Sequence, residues 1–120
     1  MEAYNKKEIH QMAMKEAGEQ LENAGYEFLS VNSDLKKDPQ FVCLKNKKLH
    51  FVLVKGCIYP QNPKDYDPEL MDKLVAHAQK YEAKVLFAGV GFAHGNDYDL
   101  PLDKSGPIAI NFTGIHEINR

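Results

Sequence analysis

The stretch PQFVCLKNKKLHFVLVKG, Pro39–Gly56, decides the fold of this chain. It reads as two β-strands around a tight turn, with Asn46-Lys47 as the two central residues of a hairpin. That turn makes Lys45 face Lys48, Val42 face Phe51, Gln40 face Leu53 and Asp38 face Lys55. Side chains alternate between the faces of a strand, so Gln40, Val42, Leu44, Leu49, Phe51, Leu53 and Lys55 share one face. An apolar strand that finishes on a lysine, with a glutamine across from it, asks what these polar groups do there.

Working outward, the apolar residues Ile9, Ala13, Ala17, Leu21 and Ala24 recur at helical spacing before Gly25, which predicts an amphipathic helix over about 5–24. Tyr26 to Val31 then predicts a strand, and NSDLKKDP a polar turn. After the hairpin, YPQNPKDYDPEL is a proline-rich connection in which Asp67 can cap a second helix with Pro68 at its first position. That helix is expected to run to about Glu82, with Leu70, Met71, Leu74, Val75, Ala78 and Tyr81 as its apolar stripe. KVLFAGVGFA, Lys84 to Ala93, is almost wholly apolar, as a central strand covered on both faces requires. A last strand is expected near Ile108 to Thr113, continued by Ile115 to Ile118. The reading is one α/β domain over 1–120, a mixed sheet of four to five strands flanked by two helices, in the order α-β-β-β-α-β.

With 120 residues, 43% of them hydrophobic and 27% charged, the chain can bury a core without metal or disulfide staples. A net charge of −2 offers polyanions no global attraction, and the lysines at 6–7, 36–37 and 45–48 form only short runs. No apolar run reaches the ~18 residues needed to cross a bilayer, and MEAYNKKEIH lacks a signal-peptide core, so a cytoplasmic location is expected. Cys43 and Cys57 lie far from any C-x-x-C spacing and, on opposite faces of the hairpin, read as buried thiols that do not pair.

The usual signatures of chemistry are weak. GVGFAHG has the wrong spacing for a dinucleotide loop, and Gly89 and Gly91 read as places of close packing. Asp97, Asp99 and Asp103 lack the pattern of a calcium loop and read as a solvated loop. His10, His50, His77, His94 and His116 show no paired ligand spacing, and Ser30, Ser33 and Ser105 sit in no nucleophile elbow. No metal or cofactor is expected.

The element order, together with LENAGYEFLSVN and LHFVLVKG, resembles the restriction endonuclease-like, or PD-(D/E)xK, superfamily, in particular small bacterial predicted endonucleases related to Holliday junction resolvases. The resemblance covers about Met12 to Ala93. It implies that the family's Pro-Asp falls on Pro39-Gln40, its Glu-x-Lys on Leu53-Val54-Lys55, and a helix glutamate on Met14. In such enzymes facing carboxylates hold Mg²⁺, which activates water at a phosphate. Here a glutamine, a leucine and a methionine stand at the acidic positions, and Lys55 alone keeps its type.

The function expected from this is a catalytically inactive endonuclease-like domain that binds a protein or nucleic-acid partner, either as a monomer or as a homodimer. Its cleft would be lined by Gln40 and Lys55 with Asp38, Lys36 and Lys37, and Asp38 would be the partner of the lysine. The alternative is a divergent metal-dependent nuclease with its acids moved, for example to Asp38 with Glu16 or Glu19. A third reading, an accessory subunit of a Na⁺-translocating NADH-quinone reductase, calls for a cysteine cluster, a flavin motif or a membrane segment, and the sequence has none of these.

Overall fold

A computed structural model describes residues 2–34 and 39–119. The elements are α1 (Lys6–Asn23), β1 (Glu27–Val31), β2 (Phe41–Lys45), β3 (Lys48–Ile58), α2 (Pro68–Gln79), β4 (Lys84–His94) and β5 (Ile108–Ile118). The five strands form one mixed sheet in sequence order. β3 and β4 are parallel, joined by the crossover through α2, and the other neighbours are antiparallel. This is an α/β fold, and among the described residues no helix is long and apolar enough to cross a membrane.

Local chemistry sets the boundaries. Asn46 and Lys47 have φ of 53° and 63°, the twist of a type I′ turn, and the register pairs Lys45 with Lys48 and Val42 with Phe51 as expected. The Asn5 side chain accepts the Glu8 N–H while the Glu8 carboxylate accepts the Asn5 N–H, a capping box that starts α1. At the other end Tyr26 N–H reaches the Leu21 carbonyl and Gly25 N–H the Glu22 carbonyl, with Gly25 at φ 90°. That is a Schellman stop.

The second helix ends sooner than the apolar stripe predicts. Ala83 N–H bonds to the Ala78 carbonyl and Glu82 N–H to Gln79, with Glu82 at φ 54°, so the same motif closes α2 with a glutamate where glycine is usual. Tyr81 beyond this stop is exposed, with its ring still meeting Phe51 at a centroid distance of 5.8 Å. β5 runs from Ile108 to Ile118, as the expected continuation past Thr113 requires. A register shift opposite Ala88 and Val90, with Gly114 at φ 99°, lets the chain bend without leaving the sheet.

The helices cover opposite faces. On one, Ile9, Ala13, Met14, Ala17 and Leu21 of α1 pack with Phe41, Cys43, Val52, Val54, Leu86, Ala88, Val90 and Phe92. On the other, Met71, Leu74 and Ala78 of α2 pack with Phe51, Leu53, Val85 and Phe87. The alternation along β3 and β4 assigns each residue its side. At Gly56 an added Cβ would lie 2.8 Å from Ala13 Cβ, so α1 presses directly on β3 there.

Candidate functional site

Of the positions carried over from the resemblance, Leu53 and Lys55 lie on β3 and Gln40 pairs beside it. Leu53 is buried in the α2-side core with Phe51, Met71, Leu74 and Phe87. Two residues on, the Lys55 ammonium donates to the backbone carbonyl of Asp65. Two further on, Cys57 Sγ lies 3.6 Å from the Gln61 carbonyl. The proline-rich connection thus runs along this face ahead of the start of α2. Pro63 is buried against the sheet so closely that a Cβ on Gly89 would stand 1.8 Å from its carbonyl oxygen. Gly91 faces the Pro63 ring, and Tyr66 packs on Phe87 with ring centroids 5.1 Å apart. The two glycines of β4 therefore admit a strap of main chain.

Gln40 is 1% exposed. Its N–H donates to the Val52 carbonyl at 3.0 Å, and its side-chain oxygen accepts the Val54 N–H at 2.8 Å. The β2–β3 ladder ends at Phe41 and Val52, and Gln40 extends it by one step on either side of Leu53. Met14 lies elsewhere, in the α1-side core. Because Gly56 faces α1, Lys55 beside it faces away, and the sheet separates Lys55 from Met14, Glu16 and Glu19 on that helix. Gln40 and Leu53 are thus brought together, Lys55 lies near them, and Met14 does not join them. Asp38, Lys36 and Lys37, expected to line the same cleft, lie outside the described residues.

Both cysteines are held away from the reactive thiolate state. Burial pushes the Cys43 thiol up to about 11 and also raises Cys57, which leaves both protonated at neutral pH. Both are free, with Cys43 in the α1-side core. Asp97 and Asp103 accept the N–H groups of Asp99 and Ser105 two residues on, so they build turns. Among the described residues no group of three His, Cys, Asp or Glu side chains is placed to hold a metal ion.

One concave surface lies at the carboxyl ends of the parallel pair β3 and β4, where crevices of α/β sheets commonly form. A cavity of about 470 Å³ separates the first turn of α1, with Tyr4, Lys6 and His10, from Cys57, Tyr59 and Pro60. A second, of about 320 Å³, is lined by Tyr59, His94, Tyr98, Asp99, Leu100 and Leu102. Tyr59 forms the ridge between them. Its ring meets Tyr98 with centroids 5.4 Å apart and planes at 59°, and the two residues are 47% and 55% exposed. The signal for this site in the sequence is slight. Each tyrosine sits just past the end of a strand among prolines and aspartates, a context that reads simply as turn.

A family model described as "Domain of unknown function (DUF8840)" matches residues 7–118. The chain belongs to the DUF8840 family. Comparison with curated proteins returns no match. The DUF8840 match spans both helices and the whole sheet, from the first turn of α1 to the last residue of β5.

Proposed function

We propose that this DUF8840 domain is a binding module on an endonuclease-like scaffold, one that engages a partner and does not cleave phosphodiester bonds. The observation that carries this reading is the fate of the β3 face: Leu53 is core, and Lys55 is capped by the Asp65 carbonyl beneath the strap. A hard divalent ion needs oxygen ligands with negative charge, and Leu53 supplies none. Gln40 offers a neutral carbonyl that is already bonded to Val54. Moving the acids to α1 would not restore a centre at Lys55, because Glu16 and Glu19 belong to the helix across the sheet. Fold likeness to enzymes does not carry activity with it.

The test is a nuclease assay on single- and double-stranded DNA and on RNA, with Mg²⁺ or Mn²⁺ titrated into pure protein. No cleavage above a metal-free control is expected. Metal-dependent cleavage that disappears in Lys55→Ala would overturn the reading in favour of the nuclease.

A further inference from the structure

Two exposed tyrosines touch each other here, and the main chain at each is held before any partner arrives. The Tyr59 N–H is tied to the Phe92 carbonyl at 2.8 Å, and Pro60 follows directly. Tyr98 is fixed by the turn around it: Asp97 Oδ1 accepts the Asp99 N–H at 2.9 Å, and the Asp97 carbonyl accepts Leu100 N–H at 3.0 Å. The main chain at both tyrosines is thus fixed, and the two rings line one concave notch.

The charge around the notch selects its occupant. Asp97 and Asp99 flank Tyr98 in sequence, both exposed, and Asp99 lines the same cavity as the two rings. The basic residue of that loop, Lys104, is engaged by Glu8 at 2.6 Å and so adds little free positive charge. Phosphates laid on these rings would stand beside two carboxylates, which disfavours a nucleic-acid strand. A cationic side chain gains twice, from the ring faces and from Asp99. Leu100, 48% exposed, offers apolar surface to the methylenes of such a side chain.

We propose that the Tyr59–Tyr98 notch receives an arginine or lysine side chain presented by an extended basic segment of a partner protein. Arginine is the better fit, since its planar group stacks on a ring and forks onto a carboxylate at once. The proposal rests on the binding-module reading and adds the site and the chemistry of the partner.

The test is a ¹⁵N–¹H NMR titration of the full chain with an unlabelled glycine peptide containing two arginines, a matched peptide with glutamines instead, and an oligo-dT strand. Expected are saturable shifts centred on Tyr59 and residues 97–100 with the arginine peptide, and roughly tenfold weaker binding of the glutamine peptide. Tyr98→Ala and Asp99→Asn, both at exposed positions, should each weaken arginine-peptide binding about fivefold while leaving the spectrum of the remaining fold in place. Equal response to the two peptides, tighter binding of oligo-dT at this site, or affinity unchanged in both variants would overturn the proposal. The nuclease assay on the same preparation separates the two failures, because cleavage defeats the binding-module reading whereas absent peptide discrimination without cleavage defeats only the notch.

Discussion

Gln40 and Val54 are joined by a hydrogen bond of 2.8 Å from the Val54 N–H to the Gln40 side-chain oxygen. The buried side chain of Gln40 thus completes the sheet. β2 stops one residue short of pairing with this part of β3, and the glutamine side chain supplies the acceptor that the next backbone carbonyl would have supplied. Gln40→Leu should cost about 1–3 kcal/mol in chemical denaturation, because it strands a buried donor. Gln40→Glu keeps the acceptor but buries a carboxylate. Its folded pKa is then raised, so the deficit relative to wild type should grow as pH rises above about 4.3. A deficit independent of pH would show that the side chain reaches water.

Gly89 carries the strap. A methyl group there would sit 1.8 Å from the Pro63 carbonyl oxygen, which is main chain and cannot swing aside. Gly91→Ala meets only the Pro63 ring, at 3.2 Å. Gly89→Ala should therefore destabilise by about 1–3 kcal/mol or more, and Gly91→Ala by clearly less. Denaturation midpoints of the two variants check the order, and a reversed order would mean that the strap does not lie on β4.

Lys55 meets a backbone carbonyl, and that distinguishes its role from a side-chain ion pair. Lys55→Met should cost about 0.5–1.5 kcal/mol, the worth of one hydrogen bond at a half-buried site. Asp65→Ala leaves the carbonyl in place, so Lys55→Met should cost the same with or without it. A double-mutant cycle measures this. A coupling well above experimental error would identify the Asp65 carboxylate as the true partner.

Much of the fold could be read from local chemistry, and the reasons are specific. Asn46-Lys47 fixed the hairpin register, and with it the faces of Val42, Phe51 and Leu53. Asp67-Pro68 fixed the start of α2. The end of α2 escaped because Glu82 adopts a conformation that no glycine advertises. The site was harder. A carried-over motif places residues along the chain, but only packing shows that Gln40 turns its oxygen onto β3, or that Met14 and Lys55 face opposite ways. The Tyr59–Tyr98 notch depends on two strand ends meeting across 39 positions of sequence, a juxtaposition that no spacing rule contains.

His50 supplies a test of the α1-side packing by pH. It is buried on β3 opposite Cys43, with its ring edge-on to Tyr26 at 5.1 Å. Burial is the main cause of its lowered pKa; the nearby Lys84 and Lys45 act in the same direction, against a backbone hydrogen bond at Lys48 and the charge of Glu117. The folded protein therefore holds the ring neutral, while the unfolded chain takes up a proton near its ordinary value of about 6.5. Below that pH the unfolded state binds more protons than the folded state, so stability falls as pH decreases, until the folded ring also titrates. Above it the histidine contributes no slope. His50→Gln removes the titrating group, and the stability difference between wild type and variant should shift in favour of the variant as pH drops from 7 to 5. Urea unfolding at several pH values in that interval measures the difference. A difference that stays flat across it would mean that the imidazole is already solvated in the folded state, and that the β3 end of the α1-side core is open where the structure closes it.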